Sequence, residues 1–365
     1  VRVEGFVSHT RPERVMATHV ALLMVTGVAG VWFPGWAVMV GAVLTASLLG
    51  EATGRFALLR RLLLKSASYN LVARDNRVAP LGSVVITTNL DVSRWRRPRR
   101  RGLRLGERAQ QAVFWSALGL TLFMLIRAVG DPFGPATLEI YLAVLAILAV
   151  SSLFSVAVLR PAPDGVDDAG GPSVLLELMR RFASDPVPGV EVWLAFTGCG
   201  NAYQGGMNHF LDLHSESLRE PVLVVALDKP ERSPITAVVA EGPVIAQTHR
   251  ATGPSLVERL RWAGVQLPEI RLFGVTDARA AQVRGVRSLA LTGGDAPASA
   301  QATLRAADVV EVLVRWYAED VAQVAGDRPA LAELAKALED MRDDAKKRRR
   351  RRGREPRDDG KQEAS

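Results

Sequence analysis

The chain reads as an α/β protein, with a central, mostly parallel sheet in a three-layer domain and four transmembrane helices arranged as two hairpins. Three observations carry this reading. From residue 160 onward, short apolar runs alternate with helix-length periodic runs, the pattern of a parallel sheet covered on both faces. The stretches 15–50 and 109–159 are apolar, and each is too long for one bilayer crossing. Each is broken near its middle by a turn containing proline and glycine, so each is expected to fold back as a hairpin.

Taken in order, residues 1–7 of the N-terminal segment 1–14 alternate apolar and polar side chains and predict a short strand. Between residues 15 and 50 the one titratable side chain is His19, and Phe33-Pro34-Gly35-Trp36 supplies the turn. A buried pair of soluble helices is the alternative. His19 has no second histidine nearby, so packing or hydrogen bonding between helices is expected for it rather than ligation. The basic segment 51–108 opens with an arginine-bearing exit helix over 51–65, followed by strands at 69–73 and 82–88. The second of these, Gly-Ser-Val-Val-Ile-Thr-Thr, is apolar enough to be central in the sheet. Arg94 to Arg101 is a basic loop next to a membrane span. The second hairpin, with spans at 109–126 and 140–159, interrupts the soluble domain. In the main part of that domain, 160–320, strands are predicted at 190–196, 221–227, 236–240 and 288–291. Helices are predicted at 172–182, 205–213, 255–263 and 300–317. In 321–365 an amphipathic helix over 329–341, with Pro329 in its first turn, precedes a basic, disordered tail.

The 365 residues carry a formal charge of +8. The excess sits in 94–108 and 346–354, beside apolar runs, so anionic lipid headgroups are the expected partner and nucleic acid is not. Lysine and arginine crowd 51–108, whereas the two hairpin turns carry almost none. By the positive-inside rule the turns face out, and the soluble domain and both termini are expected in the cytoplasm, beneath a bacterial-type plasma membrane. No signal-peptide pattern precedes the first apolar run. Cys199 is the single cysteine, which excludes an internal disulfide and a cysteine metal cage. It reads as a small buried hydrophobe, because no His–carboxylate pair is placed to activate it. A small transporter or channel is disfavoured, since the spans hold almost no ionisable residues.

Sites in open α/β sheets gather at the carboxyl ends of strands. Polar signals stand at Thr87-Thr88-Asn89-Leu90-Asp91, Asp167-Asp168, Thr197-Gly198-Cys199-Gly200-Asn201 and Asp228, with a looser one at Val275-Thr276-Asp277-Ala278. Asp167 and Asp168 lie on a glycine-rich turn, Asp164-Gly165-Val166-Asp167-Asp168-Ala169-Gly170-Gly171, that opens a helix. They suit a metal ligand there, but on local pattern alone an ordinary helix N-cap is the favoured reading.

In order and spacing, these stations resemble the leucyl-aminopeptidase-like dizinc exopeptidases (peptidase family M twenty-eight), in particular their bacterial membrane-bound branch. The resemblance runs from about residue 1 to about residue 320 and includes the early hairpin. It implies a zinc-exopeptidase-like fold. It also implies an Asp bridging two zinc ions at Asp167, a terminal ligand at Asp228, and a partner at Asp91 that orients a ligand histidine. The family's remaining chemistry is substituted. Asn89 stands where the first His ligand belongs, Gly200 at the general-base position, and Asn201 at the neighbouring Glu ligand. Past Leu291, where a final His is expected, the chain reads Thr292-Gly293-Gly294-Asp295 with no histidine. His209, His214 and His249 match no ligand station and are expected as surface or capping residues.

An amide and carboxylates without imidazole make a poor zinc site, and a glycine cannot take a proton from water. No catalytic residue and no cofactor are therefore expected. A vestigial cleft of Asn89, Asp91, Asp167, Asp168, Asn201 and Asp228 is expected to bind a peptide or protein partner, or to serve as a scaffold. An Arg, a Lys or backbone amides are expected to neutralise the carboxylates of the old metal pocket. The alternative is an active zinc aminopeptidase drawing ligands from His209 or His249.

Overall fold

The computed structural model describes residues 1–9, 12–63, 65–75, 80–91, 93–95, 100–130, 135–158, 161–166, 169–200, 203–242, 246–248, 257–258, 260–261 and 264–352. Its centre is β3 (Gly82–Asn89), whose Val84, Val85 and Ile86 are fully buried. A strand with no solvent face must be covered on both sides, and its unbroken apolar run is the sequence mark of that position. β3 pairs in parallel with β6 (Val190–Thr197) on one side and β7 (Val222–Asp228) on the other. β11 (Arg287–Gly293) extends the parallel set beyond β7.

Outside these four strands the sheet is mixed. β2 (Ser66–Arg74) lies antiparallel to β6, and β1 (Arg2–Ser8) antiparallel to β2. β8 (Ile235–Glu241) runs antiparallel to β11, pairs in parallel with β10 (Glu269–Leu272), and carries the short β9 (Gln247–Thr248) antiparallel on it. The expectation of a mostly parallel sheet therefore holds at the centre and not at the flanks. The reason is connection length: six residues separate β7 from β8, and a parallel crossover needs a dozen or more.

Helices cover both faces. α6 (Gly170–Ser184) and α9 (Ala300–Arg352) bury Val174, Leu175, Leu178, Leu313, Val314 and Tyr317 on one face. On the other, α7 (Gly205–His214) and α8 (Asp277–Val283) pack Met207, Phe210, Leu211, Ala280 and Ala281 against Trp193 and Val224. Sequence reading divided α9 into separate helices before and after residue 318, with Pro329 starting the second. The structure has one continuous helix that takes in Pro329 and residues 346–352. Alanine, glutamate, lysine and arginine dominate this region, and their high helix propensity outweighs one proline. The helix expected over 255–263 falls largely outside the described residues.

The two hairpins are α1 (Pro12–Ala29) with α2 (Pro34–Thr53), and α4 (Arg100–Val129) with α5 (Pro135–Val158). They form one bundle around Leu23, Leu44, Leu120, Met124, Tyr141 and Leu148. Arg127 donates to the Gly30 carbonyl at 3.3 Å and to that of Val31 at 3.1 Å, and the Tyr141 hydroxyl donates to the Gly27 carbonyl. Both turns consequently lie at the same end of the bundle. His19 packs between α1 and α2, as expected. Its Nδ1 donates to the Val15 carbonyl at 2.9 Å, and its Nε2 meets the Ser47 hydroxyl at 2.9 Å. The exit helix expected over 51–65 is broken. α2 runs on to Thr53, Gly54 stops it in a left-handed conformation, and only α3 (Leu59–Leu62) follows.

Among the described residues, three helical stretches are long and apolar enough to cross a membrane: Pro34–Thr53, Gln111–Val129 and Ala136–Leu153. Arg14–Ala29 is apolar but shorter. Trp36, Met39, Val43, Trp115, Leu122, Ile147, Val150 and Leu153 point away from the bundle and are exposed. A bundle that is apolar inside and outside suits a lipid surround. A small antiparallel pair, β4 (Ser93–Trp95) with β5 (Pro161–Val166), closes the chain where it enters and leaves the second hairpin.

Candidate functional site

The carboxyl ends of β3, β6 and β7 lie side by side, carrying Asn89, Thr197 and Asp228. Asn89 ends β3 beside Thr197 of β6. Its Oδ1 accepts from the Asp91 backbone N–H at 2.9 Å, a local turn that stops the strand. Asp91 Oδ1 in turn accepts from the Cys199 backbone N–H at 2.9 Å. These two bonds tie the end of β3 to the loop after β6.

That loop is tightly held. Asn70 of β2, fully buried, accepts from the Gly198 N–H at 3.1 Å and donates to the Gly206 carbonyl at 2.9 Å. Cys199, Tyr203 and Gln204 all take positive φ values. Gly200 lies flush against Asn89: a Cβ there would stand 2.5 Å from Asn89 Cγ and 2.7 Å from its Oδ1. No side chain, acidic or otherwise, fits at this position while Asn89 holds its place. Gly200 and the Asn89 side chain are thus packed against each other. Cys199 is buried, and burial pushes its thiol pKa up, which suits a packing role rather than a nucleophile.

Asp228 ends β7 and accepts from the Thr292 hydroxyl of β11 at 3.0 Å. Thr292 is the residue at which the resemblance expects a histidine-bearing turn to begin. Beneath Asp91 and Asp228 lies a third carboxylate, Asp277. It accepts from the Thr197 hydroxyl at 2.6 Å and the Thr87 hydroxyl at 2.8 Å. Burial pushes the Asp277 pKa up, the two threonine hydroxyls oppose that, and the charges of Asp91 and Asp228 add to it. Sequence reading marked Asp277 as a loose signal and gave it no place in the cleft. Its two threonine partners were inside the recognised stations, yet nothing local shows that they point at the same acid.

Asp167, Asp168 and Asn201 lie outside the described residues. The helix that Asp167 or Asp168 was weighed to cap starts at Gly170, with Ala169 at the N-cap and no side-chain cap bond. His249 also lies outside the described residues. His209 stacks on Phe6 with ring centroids 5.0 Å apart. His214, expected at the surface, is buried, and its Nε2 meets Glu4 Oε1 of β1 at 2.7 Å. The correction has a simple cause: β1 lies across α7, which one strand-like run at the N-terminus could not reveal.

Among the described residues, no group of three or more His, Cys, Asp and Glu side chains is placed to hold a metal ion. Asn89 and Asp91 already serve backbone N–H groups, and Gly200 offers no donor. These residues do not fit a dizinc centre. What they can do is present an amide and carboxylates to the hydrogen-bond donors of a ligand.

No protein-family model matches the chain, and no curated protein matches it. Among solved structures, it is similar to BSAP, a zinc aminopeptidase from Bacillus subtilis, with TM-score 0.38 and 15% identity, over 69% of this chain and 50% of that one. It is also similar to a TET aminopeptidase from a marine sediment archaeon of the Thaumarchaeota, with TM-score 0.34 and 16% identity, over 47% of this chain and 60% of that one. The chain spans about half the length of BSAP. Likeness at this level carries no weight for chemistry, and the functional reading rests on the residues of the cleft.

Proposed function

We propose that this is a membrane-anchored protein whose α/β domain keeps an aminopeptidase-like cleft without catalysing hydrolysis, and uses it as a binding or scaffold module. The observation that supports the reading best is the contact between Gly200 and Asn89. At the position of the general base there is no side chain, and the space one would need is filled by the amide that replaces a ligand histidine. Loss of a general base alone costs about a hundredfold to ten-thousandfold in rate. Together with the lost ligands it leaves no route to activated water.

The anchor comprises both hairpins, with α1 as a fourth, short span beside the three longer ones. The turns face outward, and the α/β domain and both termini face the cytoplasm. The charge bias of segment 51–108 supports this orientation. The preferred ligand of the cleft is a peptide N-terminus or another group rich in hydrogen-bond donors, since Asn89, Asp91 and Asp228 are mainly acceptors.

The test is release of an N-terminal residue from chromogenic aminoacyl amides by detergent-purified protein, with and without added zinc. No turnover above a heat-treated control is expected. Zinc-dependent turnover would instead favour an active aminopeptidase. Among its candidate ligands, His209 is engaged with Phe6, which disfavours that reading.

A further inference from the structure

A second polar cleft lies away from the strand ends, where the helical bundle meets the α/β domain. It is a small, partly open cleft of about 30 Å³ between the end of α2, α3, the loop before α7, and α8, widening at its mouth. Glu51, Arg60, Tyr203, Gln204 and Arg279 line it. Several of their buried polar atoms make neither a hydrogen bond nor an ion pair: Oε1 of Glu51, Nε2 of Gln204 and Nε of Arg279. Gln204 is 6% exposed and Arg279 is 2% exposed. Buried polar atoms without partners are costly, and each calls for an explanation such as local strain or a bound water, ion or ligand.

The missing partner can be specified. Gln204 and Arg279 call for an acceptor, and Glu51 calls for a donor. Arg60, ion-paired to Glu51 at 3.4 Å and stacked 4.3 Å over Tyr203, adds a cation at the same cleft. Arg60, Arg279 and the neighbouring Arg55, against the carboxyls of Glu51 and of Glu241 beside Arg279, leave a net positive charge, which suits an anion. Position narrows the class further. The cleft opens at the end of α2, a helix long and apolar enough to cross a membrane. The adjoining segment exposes Phe56, Leu58 and Leu62 beside Arg55, Arg60 and Arg61. That is the mixture expected where acyl chains and headgroups meet protein.

We propose that this junction cleft binds the headgroup of a phospholipid carrying a phosphodiester and a hydroxyl donor, with the phosphate on Arg60, Gln204 and Arg279 and the hydroxyl on Glu51. The proposal rests on the membrane reading above. It gives the lipid a structural consequence, because Arg279 also donates to the Thr53 carbonyl at the end of α2, at 2.8 Å. Gln204 belongs to the same loop as Gly200, and Arg279 to the same helix as Asp277. A headgroup seated here would brace both segments that shape the older cleft.

The experiment uses the full chain, purified in detergent and stripped of lipid, with melting temperature followed by tryptophan fluorescence. Phosphatidylglycerol, diacylglycerol and glycerol phosphate are titrated separately into the wild type, Arg60→Gln and Gln204→Asn. Saturable stabilisation by phosphatidylglycerol and none by diacylglycerol is expected, with the midpoint moved roughly tenfold or more in each variant. Equal, variant-sensitive stabilisation by glycerol phosphate would support the phosphate site but assign it to a free phosphate ester. Ligand-free melting of each variant reports whether it folds. A phosphatidylglycerol midpoint unmoved in both folded variants, or no stabilisation at all, overturns the proposal. Recovery of the chain from the soluble fraction without detergent would overturn the membrane reading instead.

Discussion

At the scale of single residues, the decisive fact is that the Asn89 side chain fills the space a side chain at position 200 would need. Adding a methyl group at Gly200 should therefore cost about 1–3 kcal/mol through overpacking. Shortening Asn89 to alanine should recover part of that loss. A double-mutant cycle of Gly200→Ala and Asn89→Ala, followed by chemical denaturation, reads the coupling directly, and additive effects would contradict the contact. A second prediction concerns Glu241 of β8, a buried acid that accepts from the Thr276 N–H at 2.7 Å. Burial is the main cause that raises its pKa from 4.5 to about 7, against the opposing Thr276 bonds. A raised carboxyl contributes stability that is fully present below its unfolded value and is lost as pH rises through the folded one. The unfolding free energy should fall by on the order of 3 kcal/mol as the pH rises from about 5 to about 8, and the melting temperature should fall with it. Glu241→Gln, which keeps the acceptor for Thr276, should flatten that window, and an unchanged slope would refute the assignment. Residue identities at the stations were legible in the sequence, because strand ends advertise themselves by a polar residue after an apolar run. The depth of Asp277 was not: an acid at the start of a short helix reads as an ordinary cap, and only the folded sheet brings Thr87 and Thr197 onto it.

At the scale of elements, Asn70 of β2 ties Gly198, just after β6, to Gly206 of α7, and Asp91 holds Cys199 beside them. Asn70→Ala would leave the buried Gly198 N–H without its partner, and should cost about 1–3 kcal/mol. The same substitution should loosen the loop locally, seen as faster amide exchange at Gly198 and Gly206 relative to β3. Uniform exchange across both would show that Asn70 acts on the whole domain instead. The buried strands were readable because β3, β6, β7 and β11 are continuous apolar runs of strand length. Direction was not readable at the flanks, where the antiparallel placement of β8 follows from a connection too short to cross over. β4 and β5 escaped notice because arginine, tryptophan and proline at their positions carry no strand periodicity. Both hairpins were legible from apolar length alone. The early start of α4, at Arg100, was not, since arginines that extend an apolar helix look like a basic loop.

At the scale of the whole molecule, a helical bundle apolar on both surfaces is joined to a mixed α/β sheet by the end of α2 and by α8. If both hairpin turns face outward, a single cysteine replacing Trp32 in the first turn, in a Cys199→Ser background, should react with an impermeant maleimide in intact cells. One replacing Ser299 should react only after permeabilisation. Reversal of that pattern would overturn the orientation while leaving the anchor standing. The account's central claim, that the cleft has lost its metal chemistry, is tested most directly by the zinc content of the detergent-purified full chain after dialysis against micromolar zinc. The account predicts clearly substoichiometric zinc, unchanged by Asp228→Asn. About two zinc ions per chain, the complement of a two-metal hydrolytic centre, lost on Asp228→Asn, would contradict it.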